Sequence, residues 1–254
     1  MNSNKEAGHK FLAKLGKTRL RPGGKKATDW LFKQALFTPQ MQVLEIACNM
    51  GTTSMEIAKR FGCHITGIDM DKLALAKAEE NIRKNKLDHL IHIQQADASK
   101  LPFADNSFDI VINEAMLTMY ADKAKNHLLK EYYRVLKPGG KLLTHDIMLV
   151  NPKQSEQIIK HIRHAINVNA QPTSIESWYQ LFNDAGFVDI KSEHNAMTLM
   201  SPKGMLYDEG LFGTLKIIRN ALRKQNRAQF FKMFKTFKHH HDQLNYIAVC
   251  STKA

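Results

Sequence analysis

Three acidic or basic side chains, Asp69, Glu114 and His145, stand where apolar stretches end, and a turn of unusual composition, Ala47-x-Asn49-x-Gly51, precedes them. In an alternating α/β chain the carboxyl ends of the strands are where ligands gather. Val43 to Ile46 are mostly apolar and partly β-branched, which fits a buried parallel strand. The small or turn-tolerant residues follow, and Thr52 or Thr53 can cap a helix running to Arg60. Asp69 closes the next apolar run, 18 residues after Gly51. A carboxylate there can accept two hydrogen bonds from a ribose diol. The turn has one glycine, whereas a pyrophosphate needs Gly-x-Gly-x-x-Gly for its close backbone approach, so a nucleoside without phosphates fits it better. Glu114 follows a fourth apolar strand and His145 lies late in a fifth, and either can orient or deprotonate a second reactant.

The elements that must position these residues alternate regularly. Strands are expected near 41–47, 64–69, 91–95, 108–113 and 141–148, with helices near 53–61, 71–85, 121–136 and 174–185. Such alternation implies parallel strands joined by right-handed crossovers. Phe187 to Ile190 reads as a sixth strand and Leu244 to Cys250 as a seventh. In the N-terminal part, Phe11, Leu12 and Leu15 suit a short amphipathic helix, and Thr28 or Asp29 can cap another that contains Trp30, Leu31 and Ala35.

The 254 residues fit one α/β domain with insertions. No apolar run is long enough to span a bilayer, no signal-type stretch opens the chain, and Cys48, Cys63 and Cys250 lack zinc or disulfide spacing. A reduced cytoplasm is the expected location. The net charge of +13 is uneven. Residues 1–40 hold nine Lys/Arg against two Asp/Glu, and residues 203–254 hold ten against three, while 41–202 are close to neutral. The basic flanks suit an anionic partner or a plain solvated surface.

Glu45-Ile46-Ala47-Cys48-Asn49-Met50-Gly51 resembles motif I of the class I S-adenosylmethionine (SAM)-dependent methyltransferases, Asp/Glu-x-Gly-x-Gly-x-Gly, with Ala47 and Asn49 at the first two glycine positions. Further matches follow in order: Asp69 at the ribose acid, Ala96-Asp97-Ala98 at the adenine-contacting turn, Phe108 to Val111 at the fourth strand, and Val135-Leu136-Lys137-Pro138-Gly139-Gly140 before the fifth. The resemblance covers roughly residues 41 to 195. It implies a Rossmann-like α/β fold with a seven-stranded sheet of order 3-2-1-4-5-7-6, strand 7 antiparallel, and helices on both faces. It also implies SAM as cofactor and S-adenosylhomocysteine as product. Glu45, Ala47, Asn49 and Gly51 would form the turn that holds the cofactor, Asp69 would take the ribose, and Met70 would pack on the adenine face. Asp97 would take the adenine amino group, with Ala98 and Asn113 completing the site. Glu114 and His145 become the catalytic candidates, with Asp146 supporting His145 or capping a turn.

The expected activity is methyl transfer to a small-molecule acceptor, with no metal and no specific nucleic acid. RNA methylation using the basic flanks, or a SAM-fold binding protein without catalysis, are the alternatives. Residues 1–40 are read as a basic helical extension and 41–254 as the methyltransferase domain, with a helical insertion at about 199–243. In that insertion Leu211, Leu215, Ile218 and Leu222 form one stripe, followed by Phe230, Phe231, Phe234 and Phe237. It suits either a lid over the acceptor or a helix packed on the core. The Arg21-Pro22-Gly23-Gly24-Lys25-Lys26 turn can meet the cofactor's methionine carboxylate or simply start a helix. His239-His240-His241 is expected in a solvated loop, and Met197, Met200 and Met205 either line an adaptable pocket or fill core. Oligomeric state and the methylated atom are not encoded in any of these patterns.

Overall fold

Val43, Leu44 and Ile46 lie in an inner strand of the sheet, paired in parallel with a neighbour on each side. The computed structural model describes residues 6–254. Two helices come first, α1 (Gly8–Leu15) and α2 (Gly24–Ala35), then β1 (Gln42–Ile46), α3 (Thr52–Phe61), β2 (His64–Asp69), α4 (Lys72–Lys84) and β3 (Ile91–Gln95). β4 (Phe108–Glu114), α5 (Asp122–Val135), β5 (Leu136–Leu149), α6 (Ser155–Ile166), α7 (Ile175–Asp184) and β6 (Phe187–Ala196) follow. α8 (Pro202–Ala221), α9 (Lys224–His239) and β7 (Leu244–Lys253) complete the chain. The sheet order is β3-β2-β1-β4-β5-β7-β6, as the resemblance implied. β1 pairs in parallel with β2 and β4, whereas β7 runs antiparallel between β5 and β6.

Each face of the sheet carries its own core. On one, Ala27, Leu31 and Phe32 of α2 pack with Ile57 and Ala58 of α3 and Ile82 of α4. On the other, Leu128, Leu129 and Tyr132 of α5 pack with Trp178, Leu181 and Phe182 of α7. Central parallel strands covered on both faces must be apolar on both, which is why β1 and β4 read as nearly continuous apolar runs.

The expected helix caps at two places are not the caps used. α3 starts behind Gly51, at φ 73°, with no side-chain cap, and α2 begins at Gly24, four residues before Thr28. Thr28 and Thr53 direct their hydroxyls elsewhere, into the site described below. α4 and α7 follow the ordinary rule, with Asp71 and Ser174 accepting from first-turn amides.

The insertion over 199–243 is two helices, but its predicted stripe points the wrong way for a lid. Leu211, Leu215, Ile218 and Leu222 are exposed, and the buried face is Thr214, Ile217 and Ala221. Helical periodicity found an apolar face without revealing that the helix has a second one. The buried face joins Phe11, Leu12 and Leu15 of α1 and Phe230 and Met233 of α9 in a separate cluster. Met200 and Met205 are core there too. The N-terminal segment is therefore an integral layer. Residues 1–5 of the expected extension lie outside the described residues.

Ion pairs lock this layer to the rest. Lys17 Nζ lies 3.2 Å from Asp208 and 3.4 Å from Glu209 of α8, all three side chains being buried. Glu209 also accepts from the backbone amides of Thr18 and Arg19, and Asp208 from that of Lys25. Gly24 is required where the chain passes: its φ is +55°, and a Cβ would come within 2.3 Å of Asp208 Oδ1. Removing one partner of a buried pair leaves uncompensated charge. Lys17→Met should lower unfolding free energy by about 3 kcal/mol in urea titrations, with the backbone hydrogen bonds softening the loss. A change below about 0.5 kcal/mol would show that the pair is not holding the layer.

Candidate active site

The carboxyl ends of β1, β2 and β4 open into a cavity of about 480 Å³. Glu45, Ala47, Asn49, Asp69, Met70, Asp97 and Ala98 all line it, as does Glu114. The N-terminal layer supplies the opposite wall through His9, Lys10, Thr18, Leu20 and Arg21. Met116, Met119 and Tyr120, in the turn after β4, complete it.

The turn after β1 has a backbone that glycine would normally supply. Ala47, Asn49 and Gly51 have φ of 54°, 48° and 73°, so all three alternate positions are left-handed. The substitutions at the first two glycine positions therefore preserve the conformation, at a cost of about 1 kcal/mol for a residue with a Cβ. The next strand end holds the turn. Cys48 N donates to Ile68 O, and Asn49 N donates to Asp69 Oδ2 at 2.9 Å. Asp71 N donates to the other Asp69 oxygen, also at 2.9 Å. Each oxygen keeps lone-pair capacity, so a diol in the cavity can still be accepted. Asp97 is fixed in the same manner by Ser99 N at 2.8 Å, a bond that holds its carboxyl below the usual range.

Glu114 is the most heavily bonded group on the wall. Thr53 Oγ1 donates to it at 2.7 Å and Thr28 Oγ1 at 2.9 Å, Arg21 pairs with it through Nη1, and His145 Nδ1 lies 3.2 Å away. Burial alone would raise its pKa, but the Arg21 charge and the His145 and Thr53 bonds outweigh it and hold the carboxyl far below the usual range. A carboxylate so saturated is a weak base.

His145 does not reach the cavity. It is fully buried, and its Nε2 accepts from Gly23 N at 2.8 Å. An Nε2 that accepts leaves the proton on Nδ1, which donates to Glu114. The expectation that His145 orients or deprotonates an acceptor is thus corrected: it lies off the cavity wall, with both ring nitrogens committed inside the protein. Asn113, expected in the cofactor site, is also corrected: it is fully buried and is not among the residues that line the cavity. Asp146 caps the turn at Leu117–Met119 through Thr118 N at 3.1 Å, and does not support His145.

The sequence suggested Thr28 and Thr53 only as helix caps and gave no signal for Ser54 or Tyr120. None belongs to a motif, and only the folding of α2 and α3 against β4 brings the two threonines together. Arg21 belongs to the turn expected either to meet the methionine carboxylate or to start a helix. Its guanidinium is buried on the cavity wall, and neither Nε nor Nη2 has a hydrogen-bond partner among the described residues.

The other motifs lie outside the cavity. His240 is buried, 2.9 Å from His161 Nδ1, whereas a solvated loop was expected; His239 and His241 are exposed. No metal-holding cluster of His, Cys, Asp or Glu occurs among the described residues. Cys48, by contrast, does border the cavity, but it is buried and burial pushes its thiol pKa up, so it acts as a structural residue there. No residue of 199–243 lines the cavity; Met197, Met200, Phe234 and Phe237 instead surround a separate apolar cavity of about 290 Å³.

A Rossmann-like sheet with a left-handed β1 turn, a ribose-type acid after β2 and a second acid after β3 defines a nucleoside-binding class of protein. Residues 43–140 match the family described as "Methyltransferase domain". A Haemophilus influenzae protein described as uncharacterized is 58% identical over 248 residues, 98% of each chain. Phosphoethanolamine N-methyltransferase 1 of Arabidopsis thaliana is 26% identical over 179 residues, which are 70% of this chain and 35% of that protein. The chain thus spans about a third of that plant enzyme's length. Among solved structures, phosphoethanolamine N-methyltransferase 2 of Haemonchus contortus, in complex with phosphomonomethylethanolamine and S-adenosylhomocysteine, superposes with a TM-score of 0.77 at 23% identity, over 97% of this chain and 57% of the other. The chain belongs to the class I SAM-dependent methyltransferases.

One carboxyl on the wall titrates near neutrality. Burial raises the Glu45 pKa to about 7, against the opposing hydrogen bond from Ser54. The folded chain then holds a proton that the unfolded chain releases near the ordinary value of 4.5. The group's stabilising contribution is full below that lower pH and is lost as pH rises to about 7. Glu45→Gln should remove a decline of up to about 1 kcal/mol per pH unit from the stability profile over this window, read by denaturant unfolding at several pH values. An unchanged slope would mean that Glu45 is ionised throughout.

Proposed function

We propose that the protein transfers the methyl group of SAM to a small-molecule acceptor bound beside Met116, Met119 and Tyr120. The observation that carries this reading is the shared wall of one cavity. The β1 turn, Asp69, Asp97 and Glu114 line it together with Met116, Met119 and the phenol of Tyr120. In this reading Asp69 takes the ribose hydroxyls, Met70 packs on the adenine, Asp97 takes its amino group, and Arg21, on the same cavity wall, meets the methionine carboxylate. SAM supplies an activated methyl group on a sulfonium.

The mechanism needs placement more than proton transfer. In-line approach and exclusion of water lower the barrier to methyl transfer. Glu114 is saturated and His145 is sealed, so we assign both a positioning role: Glu114 fixes Arg21 on the cavity wall, and His145 holds Gly23 and thereby the segment that carries Arg21. An acceptor that brings its own lone pair, as an amine or thiolate does, suits such a site.

RNA as acceptor is less well supported. Of the basic residues in the N-terminal layer, Lys10 pairs with Asp71, Lys17 with Asp208 and Glu209, Arg19 with Glu56 and Arg21 with Glu114. That flank's charge is largely consumed internally and leaves little footprint for phosphates.

Calorimetry with S-adenosylhomocysteine tests the cofactor assignment. Asp69→Ala should weaken binding by ~1–3 kcal/mol, the cost of unmade charged hydrogen bonds. Equal affinity in both proteins would remove it. Labelled SAM with a fractionated metabolite extract should yield a labelled small product, and label appearing only in RNA would reverse the choice of acceptor.

A further inference from the structure

Among the described residues, the outer face of α8 is apolar, exposed and uncovered. Gly210, with φ 68° and ψ −179°, kinks this helix, and the half that follows has two apolar faces. The inner one, Thr214, Ile217 and Ala221, packs on α1. The outer one consists of Leu211, Phe212, Leu215, Ile218 and Leu222, with Phe212 86% exposed and Leu211 60% exposed. Contiguous apolar surface of this kind marks an interaction site. A helix apolar on both sides normally has cover on both.

Charge identifies the cover. By helical periodicity, Arg219 lies along the edge of the outer stripe away from the buried face, Lys216 runs back beside Gly16 while staying exposed, and Arg223 and Lys224 follow at the helix junction. Among the described residues none of these four forms an ion pair with a carboxylate. The only carboxylates of α8, Asp208 and Glu209, are turned inward and buried against Lys17. The corner between α8 and α9 therefore presents leucine and phenylalanine with uncompensated lysine and arginine. A second copy of the chain would bring the same cations together across a two-fold axis. A nucleic acid would meet the cations and leave the leucines in water. An anionic lipid surface takes both: apolar side chains enter the acyl boundary and the cations meet headgroup phosphates.

We propose that the outer face of α8 docks the protein on anionic membranes, lying in the interface without crossing it. No helix among the described residues is long and apolar enough to cross. This surface lies outside the cavity, so the proposal does not depend on which acceptor is methylated.

Co-sedimentation of the full chain with vesicles tests it. The protein should pellet with vesicles of phosphatidylglycerol and phosphatidylcholine, and at least tenfold more weakly with phosphatidylcholine alone. Phe212→Ser with Leu215→Ser, both exposed, should reduce partitioning at least tenfold while leaving the melting temperature and S-adenosylhomocysteine affinity unchanged. Arg219→Glu with Arg223→Glu should abolish the preference for the anionic vesicles. No pelleting with either vesicle, or pelleting indifferent to Phe212→Ser with Leu215→Ser, overturns the proposal. So does a concentration-dependent dimer, seen by light scattering and removed by the same pair, which would assign the face to a second copy.

Discussion

The carboxylate of Glu114 is the point on which five segments meet. It stands at the end of β4 and accepts from Arg21 before α2, Thr28 within α2 and Thr53 within α3, with His145 of β5 beside it. β4 and β5 place Glu114 and His145 in register, so the sheet itself sets the last of these contacts. A buried carboxylate is costly unless fully bonded, and here every partner comes from a different part of the chain. That cost makes the arrangement specific. An N-terminal segment that misplaced Arg21 or Gly23 would leave a charge or an imidazole nitrogen without its partner.

The same reasoning separates the two basic flanks that look alike in the sequence. In residues 6–40 most cations are spent against carboxylates, some deep in the fold and others at its rim. Lys17 is wholly buried, whereas Lys10 pairs with Asp71 at a partly exposed site, where such a contact is worth little. In α8 and α9 the carboxylates go inward and the cations stay outside. Equal net charges thus give an internal lock in one case and an outward-facing cationic surface in the other.

Much of the fold was legible because its signals are local. Alternating apolar runs gave the strands, and the ordered turns after β1, β2 and β3 identified Asp69, Met70, Asp97 and Ala98 on the cavity wall. The failures share one physical origin. Thr28 and Thr53 looked like helix caps because cap preference is a local property, whereas their hydroxyls serve a carboxylate 86 and 61 residues away. His145 looked reactive because its strand end was right, but what decides its role is a backbone amide 122 residues earlier in the chain. The stripe in α8 was found by period alone, and period says which residues share a face without saying what the face meets.

Asp69 explains how a glycine-poor turn can still serve. Ala47 and Asn49 are held at positive φ, and neither would choose that conformation unaided. The Asn49 amide is fixed by the carboxylate of Asp69, and Cys48 N by the carbonyl of the preceding residue, Ile68. The strain in the turn is therefore opposed by the same strand end that presents the acid to the cavity. Asp71 N holds the second oxygen of that carboxylate at the entrance to α4, so its orientation is set before any ligand arrives. A cavity acid with both oxygens anchored has little freedom to lose on binding, which is the advantage of preorganisation. Glycines at 47 and 49 would relieve local strain but loosen the unfolded chain and the turn alike. The departures from the usual motif are consistent with a turn whose geometry is imposed by its neighbours and not by its own residue types.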